Sequence, residues 1–64
     1  MQQHYIQQLD SLKKPYKIYA DYVENLAAEQ FINCMQHPAI IQGALMPDTH
    51  AGYAAPRIYK KIKM

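Results

Sequence analysis

The sequence has no tryptophan, two glycines and a single cysteine, Cys34. One thiol excludes an internal disulfide framework and suits a reducing compartment. No stretch approaches the roughly 18 uninterrupted apolar residues that mark a membrane-spanning helix. The opening MQQHYIQQLDSL has neither a basic n-region nor an apolar h-region, so no secretory signal is expected. The expectation from these absences is a cytoplasmic protein with no membrane partner. Length is also scarce. Sixty-four residues allow one domain at most, and a chain of this size buries only about 60% of the surface its unfolded form exposes. So small a core balances narrowly against ordering entropy, and such chains lean on disulfides, metals or a partner.

Charge is modest in sum and uneven in place. Up to Pro56 three cations (Lys13, Lys14, Lys17) face five acids (Asp10, Asp21, Glu24, Glu29, Asp48), a balance of −2. The closing eight residues, RIYKKIKM, hold four cations and no acid, a balance of +4. The net charge of +2 is too small to imply nucleic-acid binding by itself. Half of the residues are hydrophobic, which is globular rather than disordered composition.

Within residues 1–14, Tyr5, Leu9 and Leu12 fall on one helical face, and Pro15 ends the segment because a proline pushes its predecessor out of the helical region. In PYKIYA, Tyr16, Ile18 and Ala20 alternate with Lys17 and Tyr19, the period of a strand. Asp21 then offers a helix N-cap, with Glu24 at the capping-box position. Val23, Leu26, Ala27, Phe31, Cys34 and Met35 form an apolar stripe that should stop before Pro38. AIIQGALM, residues 39–46, reads as a buried strand in which Gly43 weakens the element or permits close backbone approach. Strand, helix and strand in this order make a βαβ unit with parallel strands, which need cover on both faces. The expected fold is therefore α/β: a strand-helix-strand fragment of a larger α/β domain, preceded by a short amphipathic helix.

The chemistry-bearing segment is MPDTHAGYAAP, residues 46–56, at the carboxyl end of the second strand, where open α/β sheets place their ligand loops. Asp48 and His50 are one residue apart. A carboxylate so near can fix the tautomer of the imidazole, or both can contact a metal. The same residues also read as ordinary turn chemistry.

At this loop the chain resembles the RtcB-type RNA-splicing ligases, whose early motif runs Met-Pro-Asp-x-His-x-Gly-x-Gly-x-Pro-Ile-Gly. Met46, Pro47, Asp48, His50, Gly52 and Pro56 match in register, and KIYA and IIQGALM upstream also look like this family. Ala54 stands where the family has its second Gly, and Arg57-Ile58 where it has Ile-Gly. The resemblance implies an RNA ligase that joins 2′,3′-cyclic phosphate or 3′-phosphate ends to 5′-hydroxyl ends with GTP and manganese, through a guanylylated histidine, in RNA repair or tRNA splicing. It implies a role for Asp48 in supporting and orienting the nucleotide-bearing histidine, and for His50 as a neighbour of the active site. The family's metal ligands and guanylylated histidine come from downstream motifs that this sequence does not contain. On this reading residues 1–56 are a partial N-terminal portion of an RtcB-like domain and 57–64 a basic tail unrelated to the family pattern. The fragment itself is expected to hold no cofactor and to be inactive alone, its partners being RNA and a complementing polypeptide.

Other candidates are thinner. Cys34 and His37 have one-turn spacing but supply only half of a tetrahedral zinc site, and Cys34, on the apolar stripe, reads instead as a buried core thiol. His4 reads as a solvated terminal side chain. Tyr16, Tyr19 and Tyr22 read as packing residues with polar tips. The alternative to a ligase portion is a small RNA-associating or protein-interaction peptide using Arg57, Lys60, Lys61 and Lys63, against which stands a frayed, solvated tail.

Overall fold

A computed structural model of the chain describes residues 1–20, 22–47 and 57–63. Its elements run α1 (Gln3–Ser11), β1 (Tyr16–Ile18), α2 (Asn25–Gln36), β2 (Ile40–Leu45) and β3 (Ile58–Ile62). The class is mixed α/β, with a helix ahead of the strands. Among the described residues no helix is long and apolar enough to cross a membrane.

The strands form one sheet in the order β1-β2-β3. β1 and β2 are parallel, pairing Tyr16 with Gly43, Lys17 with Ala44 and Ile18 with Leu45. Parallel neighbours need a long crossover, and the segment containing α2 provides it. β3 runs antiparallel to β2, pairing Leu45 with Ile58, Ala44 with Tyr59, Gly43 with Lys60 and Gln42 with Lys61. An irregularity between Ile40 and Gln42 breaks the two-residue alternation, so Ile40 is buried while Ile41 and Gln42 are exposed.

The expected frayed tail over 57–64 is therefore corrected: residues 58–62 are a strand. IYKKI alternates in period two, and pairing with β2 satisfies backbone groups that a free tail would leave to water. The Lys63 amide donates to the Ala39 carbonyl at 2.6 Å, fixing the far end of the strand.

Both helices lie on one face of the sheet. Phe31, Leu9, Met35 and Leu45 are the largest fully buried side chains. α1 is anchored sideways to α2 by the Tyr5 hydroxyl, which donates to Glu29 Oε2 at 2.9 Å. It is anchored to β1 by the Tyr16 hydroxyl, which donates to Asp10 Oδ1 at 2.7 Å. Lys14 closes the layer, its Nζ donating to the carbonyls of Met35 (2.7 Å) and His37 (2.9 Å). A cation there satisfies orphan carbonyls at the C-terminus of α2 and complements the helix dipole.

The expected helix start and stripe are also corrected. Asp21 lies outside the described residues. The helix begins after Glu24, whose backbone is extended and whose side chain makes no capping bond. Its buried positions are Ala27, Ala28, Phe31, Ile32 and Met35, whereas Leu26 is 49% exposed and Cys34 is half-buried. α1 packs against α2 beside Glu29, and Ala28 and Ile32 share a core with Tyr5 and Leu9 of α1.

Gly43 permits close approach, as expected. A Cβ built there would collide with Met35 Sδ and come within 3.3 Å of Phe31 Cε1. The glycine lets α2 settle on β2.

Candidate functional site

The Asp48 and His50 of the expected ligand loop lie outside the described residues. Their surroundings are nevertheless defined at both roots. The Tyr19 amide donates to the Leu45 carbonyl at 2.9 Å, which continues the parallel ladder one residue past β1. One residue further along, the Met46 amide donates to the Arg57 carbonyl at 2.9 Å. Met46 and Arg57 thus face each other at the end where β1 and β2 both terminate.

Among the described residues the Cys34–His37 pair is joined by no third metal-ligating side chain. His37 Nδ1 accepts a hydrogen bond from the Ala39 amide at 3.1 Å, so this ring nitrogen already serves the turn around Pro38. Both residues border an open groove of about 390 Å³, together with Asn33, Ala39, Ile40, Lys60 and Ile62. Among the described residues no group of three His, Cys, Asp or Glu side chains could hold a metal ion. A manganese centre needs several converging oxygen and nitrogen ligands, and the described residues do not fit one. His4 is exposed, with its ring centroid 4.0 Å from that of Tyr5.

The tyrosines divide into two sets. Tyr5 is in the core, and its hydrogen bond to Glu29, followed by burial, raises the phenol above its ordinary value. Tyr16 packs edge-on to Phe31 at 6.4 Å. Its hydrogen bond to Asp10, with burial second, pushes its pKa up to about 12. Tyr19 and Tyr22 depart from the packing role expected for them: they are 52% and 74% exposed, and Tyr59 is 54% exposed.

The sheet face turned away from the helices gathers residues that are distant in sequence. Strand partners point to the same side, so Lys17, Ala44 and Tyr59 lie in one row across the three strands, and Gln42 and Lys61 in the next. Tyr19 and Met46 extend the face beyond the strands, and a hollow of about 260 Å³ lies over Ala44, bordered by Lys17, Tyr19, Gln42, Met46 and Tyr59. Ala44 is the floor because its methyl is the smallest side chain in its row. β1, β2 and β3 contain three lysines and no acid. Among the described residues the acids Asp10 and Glu29 are on the helices, and Glu24 immediately precedes α2. Sequence reading missed this grouping because it treated 57–64 as a charge run. The signal was the alternation of Ile58, Lys60 and Ile62 with Tyr59 and Lys61. No protein-family model, curated protein or solved structure matches the chain.

Proposed function

We propose that this chain is the first strand-helix-strand portion of an RtcB-like RNA ligase, carrying the Met-Pro-Asp-x-His loop and inactive alone. The observation that carries the reading is the parallel pairing of β1 with β2 across α2. It brings the carboxyl ends of both strands to one side, and the chain continues from there into Met46 and Pro47. Loops at that end of open α/β sheets hold the ligands. The register of Met46, Pro47, Asp48, His50, Gly52 and Pro56 with the family motif is the second support.

In this reading the active centre is shared with a complementing polypeptide, which brings the manganese ligands and the histidine that carries the nucleotide. Asp48 contributes a carboxylate that orients this histidine through its ring nitrogen, and His50 lies next to it. The ligand is an RNA bearing a 2′,3′-cyclic phosphate or 3′-phosphate, joined to a 5′-hydroxyl with GTP.

Complementation tests this. The chain is co-expressed with an RtcB-type ligase that lacks its own first strand-helix-strand unit, and joining of a cyclic-phosphate RNA to a 5′-hydroxyl RNA is followed. Ligation is expected to return with the parent chain and to be lost with Asp48→Ala. The chain alone, incubated with GTP and manganese, is expected to form no covalent adduct. Failure of complementation, or rescue indifferent to Asp48→Ala, overturns the reading.

A further inference from the structure

We infer that the open face of the sheet is a binding platform for single-stranded nucleic acid, with Tyr19 and Tyr59 stacking on unpaired bases and Lys17 and Lys61 meeting phosphates. Three independent observations converge on it. The first is shape: the hollow over Ala44 is open and bordered by two rings that are each more than half exposed. Adjacent strands are about 4.8 Å apart, so Lys17 and Tyr59 straddle Ala44 with a gap between them that no side chain among the described residues fills.

The second is charge. Lys17 and Lys61 stand on this face, whereas Lys60 shares the helix side with Gly43; the strands carry no acid, and Arg57 and Lys63 flank β3 at its two ends. A surface of this sign is complementary to a polyanion. The third is the ordering of the cations. Lys61 does not sit on a loose tail, because the ladder with β2 places it opposite Gln42. Fixed cations beside fixed rings distinguish a platform from a diffuse basic segment.

Unpaired bases are the fitting ligand because the rings need a free π-face, which a duplex keeps inside its stack. Gln42, between the cations and the rings, adds donor and acceptor capacity for base edges. A second copy or another protein fits less well. Lysine on both outer strands opposes self-pairing of this face. The inference does not require the ligase reading: Tyr59 and Lys61 lie outside the segment that resembles the family, although Lys17 and Tyr19 lie within it.

The test is fluorescence anisotropy with labelled RNA and DNA single strands of about 12 nucleotides and with the corresponding duplexes. RNA and DNA share the chemistry that the rings and lysines recognise, and the parallel arms separate them. Single strands are expected to bind more tightly than duplex. Affinity should fall about 7-fold between roughly 50 and 200 mM salt, as for two phosphate contacts. Tyr19→Ala and Tyr59→Ala should each weaken binding about 5- to 150-fold, while Tyr19→Phe and Tyr59→Phe retain it. Amide chemical-shift changes on the unsubstituted chain should cluster at residues 17–19, 42–44 and 59–61, which keeps the test independent of how any variant folds. Equal affinity for duplex, alanine variants that bind like the parent, shifts confined to the helices, self-association that occludes the face, or no binding at all each overturn the inference. Loss of complementation with platform binding intact removes only the ligase reading.

Discussion

The two faces of the sheet are built from the same strands and do opposite things. On the covered face Tyr16, Ile18, Gly43 and Leu45 meet α2, and their neighbours Phe31 and Met35 are excluded from water. On the open face Lys17, Gln42, Tyr59 and Lys61 stand in solvent. The alternation of a strand lets one residue hold the fold and the next remain available for contact. Among the described residues the cover expected on both faces of the parallel strands is present on one. β3 makes the sheet mixed, and a mixed sheet with polar residues outward tolerates water on one side. Stability is concentrated in the covered layer, and the open layer is free of that duty.

The contrast breaks first at Phe31. Phe31→Ala removes a fully buried ring and should cost about 3–5 kcal/mol. That approaches the whole stability of a small domain, so the variant is expected to show collapsed amide dispersion and no cooperative urea transition. Gly43→Ala should cost about 1–3 kcal/mol by overpacking against Met35 and Phe31, read as a lower urea midpoint at unchanged slope. Lys14→Met keeps the stem but loses both carbonyl contacts. At a half-exposed site it should cost about 1 kcal/mol.

Alkaline titration sharpens the contrast further. Tyr16 rises from 10.0 to about 12 because its neutral hydroxyl donates to Asp10. Its stabilising contribution is complete below pH 10 and is lost as pH climbs through the interval to about 12. Tyr16→Phe should flatten this part of a stability–pH curve, and Tyr5 contributes in the same sense through Glu29. The smallest effect belongs to the open face: Gln42→Thr and Lys61→Gln should change stability by no more than about 0.5 kcal/mol. A larger loss there would show that the outward row also holds the fold.

Periodicity made α1, β1, α2 and β2 legible, because each carries its apolar residues at the spacing its geometry demands. The small residue Gly43 was readable for the same reason, as a place where another element approaches. Two features needed the third dimension. The packing of α1 beside Glu29 of α2 is a contact between residues 24 positions apart that no local window contains. β3 was hidden because its charge was read before its alternation, although five residues in period two were present. The candidate site was half legible. MPDTH was found by residue type at its place after a strand, whereas the open-face grouping arises from pairing three segments that lie far apart in sequence.

The pairing of β3 has a consequence for how this unit can be incorporated into anything larger. β2 is the central strand and hydrogen-bonds on both sides, to β1 on one and β3 on the other. An incoming strand from another polypeptide finds no vacant berth next to β2. It must evict residues 58–62 or attach to an outer margin of the sheet, so the closing segment works as a stopper that any assembly partner has to pull out or go around.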